Sequence, residues 1–154
     1  ASEMSRAKTG ALIVIEQNVR LDEYERTGIV IDSVLTSQIL INIFEHNTPL
    51  HDGAVIVRGN RITAATCYLP LSDNMLLSKE LGTRHRAGVG ISEVTDSLTV
   101  IVSEETGAIS VAYKGELMRK LTAEELKKLL VMAQNKTAAQ KKFRLWKGWN
   151  KNEI

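Results

Sequence analysis

The chain has 154 residues, 44% hydrophobic and 25% charged, a balance that belongs to one folded domain and excludes a disordered segment. Its single cysteine, Cys67, excludes an internal disulfide and makes a reducing compartment the default. The net charge of +2 is uneven: six basic residues and one acid between Lys136 and Ile154 give +5, which leaves −3 for residues 1–135 and excludes a broad nucleic-acid surface. No apolar run approaches the roughly 18–20 residues of a membrane helix, and no secretory signal is visible.

Taken in chain order, Ala11–Glu16 is a β-branched run ending in polar Gln17-Asn18 and reads as a buried strand. Gly28–Asp32 is a second short apolar run. From Val34 to Phe44 the apolar residues Leu35, Ile39, Leu40, Ile43 and Phe44 recur at helical spacing, and Asn47-Thr48-Pro49 stops the helix. Ala54–Val57 and Ile62–Leu69 are strand-like, joined by the turn signal Arg58-Gly59-Asn60-Arg61. Leu98–Val102 and Ala108–Tyr113 form a further hairpin around Glu104-Glu105-Thr106-Gly107. Thr122-Ala123-Glu124-Glu125 is a capping box that opens a helix with Leu126, Leu129, Leu130 and Ala133 on one face. Strands in hairpins with helices interspersed predict an α/β (α+β mixed) fold, one central mixed β-sheet flanked by helices. One domain over 1–135 is expected, followed by a basic tail, 136–154, with Phe143, Trp146 and Trp149 among its lysines. The tail suits a membrane or nucleic-acid surface, or equally a solvated helix docking its aromatics, and no function is assigned to it.

Common catalytic signatures are missing. There is no G-x-x-x-x-G-K-[ST] loop and no G-x-G-x-x-G; Gly90-Ile91-Ser92-Glu93-Val94 lacks the last glycine of a nucleophile elbow; His46, His51, His85 and Cys67 make no zinc pattern. Two loops remain. Pro49-Leu50-His51-Asp52-Gly53-Ala54 joins a helix to a strand, and an isolated Asp-Gly there is simply a turn. With His51 beside it, the loop also offers a carboxylate to orient a hydroxyl and an imidazole to ligate a metal, while Gly53 lets a ligand approach the backbone.

The second loop is Gly82-Thr83-Arg84-His85-Arg86-Ala87-Gly88-Val89-Gly90. Thr83 reads as an N-cap, which puts Arg84, His85 and Arg86 in the first helical turn, where the dipole disfavours cations. A solvated surface loop is the plain alternative. A triphosphate would instead satisfy the backbone N–H groups, the hydroxyl and the guanidinium forks together. Tyr68, taken alone, reads as core more readily than as a base-stacking ring, and Ser103 and Glu105 as a polar turn or as phosphate and metal contacts. Cys67 reads as a small buried hydrophobe, and Leu69-Pro70-Leu71 as a strand end.

The paired motifs Asp52-Gly53-Ala54 and Gly82-Thr83-Arg84-His85-Arg86, some thirty residues apart, closely resemble those of the diadenylate cyclase catalytic domain family, in particular its membrane-anchored single-domain type. The resemblance runs from about Ala11 to about Ala133. It implies a mixed sheet flanked by helices, with one ATP per subunit, and two subunits facing each other so that each ribose 3′-OH attacks the other nucleotide's α-phosphate. By the same resemblance Asp52 orients or deprotonates the 3′-OH, and Thr83, Arg84 and Arg86 hold the phosphates with His85 completing their loop. Gly53, Ala54 and Gly82 lie against the nucleotide, Tyr68 and Leu69 line the adenine pocket, and Ser103 and Glu105 contact phosphate and metal. The metal, Mn²⁺ or Mg²⁺, falls to His51 and Glu105. The implied partners are ATP and a second copy of the chain, with room for regulatory proteins and none for nucleic acid. The start at Ala1-Ser2 is read as a truncation, and the full-length protein is expected at the cytoplasmic face of the membrane through segments missing here. A nucleotide sensor without catalysis and a nucleic-acid binder using the tail are the competing readings.

Overall fold

The computed structural model describes residues 1–135, so the expected basic tail lies outside the described residues. The described residues divide into two units, Ala1–Leu121 and a second that begins at Thr122. The first begins with a short helix, α1 (Ser2–Ala7), and the buried strand β1 (Ala11–Ile15). A single turn, α2 (Asp22–Glu25), leads to β2 (Ile29–Val34) and then α3 (Ser37–Phe44). The hairpin β3 (Ala54–Arg58) and β4 (Arg61–Cys67) turns at Gly59, whose φ of 60° suits the first position of a two-residue turn. Helix α4 (Thr83–Val94) is followed by β5 (Leu98–Val102), β6 (Ile109–Tyr113) and the short β7 (Glu116–Met118). The second unit holds α5 (Ala123–Gln134), opened by the expected capping box: Thr122 accepts from the Glu125 amide at 3.2 Å and Glu125 from the Thr122 amide at 2.8 Å.

The seven strands form one mixed sheet in the order β2-β4-β3-β1-β5-β6-β7. Only β1 and β3 pair in parallel, and every other neighbour is antiparallel. This is the mixed sheet with helices that the residue pattern predicts. Ala11–Val14, Ala54–Val57 and all of β5 are buried, so the central strands are covered on both faces and lack polar/apolar alternation. On one face Leu12, Val14, Ala54, Ile56 and Ile101 pack with Ala87, Val89 and Ile91 of α4.

Three expectations are corrected. The helix expected from Val34 begins at Ser37, because Val34 pairs with Arg61 at the end of β2 and Thr36 caps the helix, accepting from the Ile39 amide at 3.2 Å. The strand expected to reach Leu69 stops at Cys67, where β4 ends opposite Ala54. The Leu69-Pro70-Leu71 segment does more than end a strand, since it runs back along α4 and the Ser72 amide donates to the Arg86 carbonyl at 3.0 Å. Elements α1, α2 and β7 have no counterpart in the sequence pattern, being too short to develop a period.

Helix α4 is buried along Ala87–Ser92. It fits between sheet and loop because two of its residues lack side chains. A Cβ on Gly88 would stand 2.9 Å from Ile101 Cδ1, and one on Gly90 only 1.9 Å from the Pro70 carbonyl oxygen. The glycines of this helix therefore serve packing, and only Gly82 stands at its start. Helix propensity costs about 1 kcal/mol for each interior glycine, and close approach offsets it.

The opposite edge of the sheet is tied by ions. Arg58 at the end of β3 donates to both Glu16 oxygens at 2.8 and 2.9 Å, to Asp22 at 3.2 Å and to Glu25. Burial opposes ionisation of Glu16, but the Arg58 and Leu21 hydrogen bonds outweigh it and hold the carboxyl below its usual range. Its contribution to stability is therefore present above the ordinary glutamate pKa of about 4.3 and is lost as pH falls through the depressed value.

Gly90→Ala is expected to destabilise the domain by about 3 kcal/mol in urea denaturation, because the atoms it meets are backbone. Glu16→Gln should cost about 2–3 kcal/mol at neutral pH. It should also flatten the loss of stability on acidification, which chemical denaturation at a series of pH values would measure.

Candidate active site

Strand register decides what meets at the other edge. Ile13 pairs with Val55 and Ala11 with Val102, so β1 and β3 start, and β5 ends, at one edge, which the segments holding Gly10, Asp52 and Ser103 adjoin. Ala54 pairs with Cys67, which brings Tyr68 beside Gly53 at the same edge. Gly53 has φ 83°, and a Cβ there would stand 2.8 Å from the Thr66 carbonyl carbon, so the residue after Asp52 has to be glycine.

Arg84 joins this edge from α4. A Cβ at position 10 would stand 2.7 Å from its Nη1 and 2.9 Å from its Cζ, so the guanidinium lies over Gly10. Its Nη1 is paired with Glu104 at 3.1 Å, and its buried Nε has no hydrogen-bond partner among the described residues. Gly82–His85, Glu80, Ser103–Thr106, Ser110 and Arg119 line a cavity of about 220 Å³. That is below the 300 Å³ or more typical of a whole small-ligand pocket, and suits a phosphate chain better than an entire nucleotide.

The cap of α4 differs from the expectation: Gly82 holds the N-cap position with no side-chain bond, and Thr83 is the first helical residue, exposed. Its hydroxyl is thus left for a ligand, where an N-cap role would have spent it. His85 is buried, and burial first, then Arg119 and Arg84, pushes its imidazole below the ordinary histidine pKa. The dipole conflict at this terminus is so relieved in two ways, by a neutral His85 and by Glu104 beside Arg84. Arg86 is half-buried and lies outside the cavity lining.

Ser103 organises its own loop, its hydroxyl accepting from the Glu105 and Thr106 amides at 3.3 and 3.2 Å. The loop is braced by α1, since Ser5 donates to the Gly107 carbonyl at 2.6 Å. Glu105 is exposed and Leu69 partly buried against the core. Tyr68 is 76% exposed, which overturns its reading as core and leaves its ring open for stacking. The buried Cys67 thiol is pushed up to about 12, by burial and then Glu25, and is inert at neutral pH.

Asp52 is 90% exposed at its side chain and lies apart from the cavity lining. His51 Nδ1 lies 2.7 Å from the Thr48 carbonyl oxygen and so carries a proton. In the neutral ring Nε2 keeps its lone pair, 3.8 Å from Asp52 Oδ1, which is the tautomer a metal ligand requires. Among the described residues no three His, Cys, Asp or Glu gather closely enough to hold an ion. His51 and Glu105 each fit as single donors, with phosphate oxygens left to complete a shell. Gly10, Glu80, Glu104 and Arg119 escaped the sequence reading. Glu104 borders a residue already singled out, but no motif marks the other three.

The family model described as "DAC: DisA bacterial checkpoint controller nucleotide-binding" matches residues 1–117. A diadenylate cyclase of Listeria monocytogenes is 54% identical over 147 residues, 94% of this chain and 54% of that protein. The cyclic di-AMP synthase CdaA of Bacillus subtilis is 60% identical over 127 residues, 82% of this chain and 46% of that protein. The chain thus spans about half the length of the curated relatives it matches. The crystal structure of a Staphylococcus aureus DacA double mutant superposes with a TM-score of 0.85 at 52% identity, covering 86% of this chain and 88% of that one. A Bacillus cereus structure, described as a hypothetical membrane spanning protein, reaches a TM-score of 0.75 at 45% identity, over 78% of this chain and 59% of that one. A match over residues 1–117, together with this fold, means that the chain belongs to the DAC family of nucleotide-binding domains.

Proposed function

We propose that this domain is a nucleotidyltransferase that condenses two ATP molecules into cyclic di-AMP at the interface of a face-to-face dimer. The observation that carries this reading is the separation of two halves of the chemistry on one sheet edge. Thr83, Arg84 and Ser103 surround a phosphate-sized cavity, whereas Asp52 projects into solvent beyond it. A carboxylate so placed suits a reaction in which the nucleotide cradled by one subunit is attacked from the other. An isologous two-fold supplies both attacks from one set of motifs per chain.

Each ribose 3′-oxygen forms a bond to the α-phosphorus of the facing nucleotide, the bond from that phosphorus to the bridging β-phosphate oxygen breaks, and two pyrophosphates leave. Asp52 orients the 3′-OH or accepts its proton. Arg84, Arg86, the Thr83 hydroxyl and Ser103 hold the phosphates in line, with His85 as the neutral buried support of the loop. Tyr68 and Leu69 flank the adenine, and Gly53, Ala54 and Gly82 give it and the phosphates close approach to backbone.

The cavity lining carries Arg84 and Arg119 against Glu80, Glu104 and Glu105, a formal charge of −1 with His85 neutral. Such a pocket repels a bare triphosphate. His51 and Glu105 would hold a divalent cation, Mn²⁺ or Mg²⁺, which supplies the missing positive charge on the phosphates when bound. A histidine donor favours Mn²⁺. Among the described residues no helix is long and apolar enough to cross a membrane. Similarity to the B. cereus protein described as membrane spanning supports a membrane-anchored full-length protein with this domain at the cytoplasmic face, where ATP is found.

Incubation with ATP and Mn²⁺, with the product identified by mass, is expected to give cyclic di-AMP. Asp52→Asn should lower kcat by about 10²–10⁴-fold with ATP affinity within about twofold, and equal product from both proteins would remove Asp52 from the mechanism. Activity per subunit should fall on dilution through the dimer dissociation range. Constant specific activity in demonstrably monomeric protein would overturn the dimeric reading.

A further inference from the structure

The cavity beside α4 is walled on its far side by a residue outside both motifs. Arg119 follows β7 and lies just beyond the residues that the family match covers. Its backbone is pinned on both sides: Met118 pairs with Val111, and the Leu121 amide donates to the Ile109 carbonyl at 2.9 Å. Continuing that ladder places Arg119 opposite Ser110, and directly opposed residues of an antiparallel pair present their side chains to the same face. Ser110 also lines the cavity, so the two share the wall facing α4.

The two guanidiniums of the cavity are not equivalent. Arg84 is already neutralised by Glu104 at 3.1 Å. Arg119 is exposed and, among the described residues, has no hydrogen bond or ion pair. Its charge nevertheless reaches into the site, where it is the larger of the two cationic influences on His85. A guanidinium with no partner among the described residues, at a backbone position pinned on both sides and lining a phosphate-sized cavity, is complemented by phosphate oxygens.

We infer that Arg119 is a substrate-binding residue that contacts the terminal phosphates of the nucleotide and so makes the site prefer a triphosphate over shorter phosphate chains. The assignment rests on the proposed ATP site and deepens it: Arg84 and the start of α4 engage the phosphates near the reacting centre, and Arg119 the end that departs as pyrophosphate. Its fork is suited to bidentate contact with two phosphate oxygens, which a lysine reproduces only in charge.

Calorimetric binding of ATP and AMP to wild-type protein and to Arg119→Gln and Arg119→Lys, with Mg²⁺ present, tests this. Arg119→Gln should weaken ATP binding about tenfold and leave AMP within about twofold, and Arg119→Lys should recover part of the loss. The His85 imidazole, followed by NMR titration, should titrate at higher pH in Arg119→Gln, which reports the lost charge in a folded protein independently of turnover. Unchanged ATP affinity, or equal losses for ATP and AMP, would overturn the assignment. Wild-type protein that binds ATP yet forms no cyclic dinucleotide would sink the proposed reaction while leaving the Arg119 contrast standing.

Discussion

The parallel pairing of β1 with β3 is the constraint on which the rest of the site depends. It brings the starts of two strands to one edge, and the antiparallel β5 adds its end to the same place. Loops distant in sequence, around Gly10, Asp52, Tyr68 and Ser103, therefore share a rim. Rims of this kind are where an open sheet can present polar groups, since its central strands β1, β3 and β5 are buried on both faces and admit almost none.

Helix α4 carries the second half of the site to that rim, and its own burial fixes where it arrives. Gly88 permits contact with β5 and Gly90 with the backbone of Pro70, so the helix is held between sheet and loop with little freedom to slide. Arg84 then extends over Gly10, where any side chain would collide with it. The same rigidity is useful to a phosphate site, because donors fixed in advance lose no entropy when the anion binds. The Arg58 network at the opposite edge is structural, with three carboxylates gathered on one guanidinium.

The strands β1, β3, β4, β5 and β6 were readable from their apolar runs, and α5 from its capping box, because these signals are local. Boundaries failed where a neighbouring strand competed. Val34 has an apolar side chain that fits the helical pattern, yet its backbone is taken by Arg61. Thr83 has the chemistry of an N-cap, but Gly82 occupies that position, and the difference leaves a hydroxyl open at the cavity. The exposure of Tyr68 is not written in its residue type, because exposure is a property of what surrounds a residue, and β4 ends at Cys67, leaving Tyr68 just beyond the strand.

By itself the sequence determined the two motifs, the mixed character of the fold and the family to which the chain belongs, since each of these is written in residue types at short spacing. Only the tertiary structure decided that the loops of both motifs come to one edge of the sheet, that Asp52 stands in solvent while Arg84 is enclosed, and that Arg84 and Arg119 share the cavity with different charge balances. Those relations arise from strand order and register, which join residues as far apart as Gly10 and Ser103. Electrostatics depends on distance through space, so no pattern along the chain could have separated an arginine paired with Glu104 from one that has no partner among the described residues.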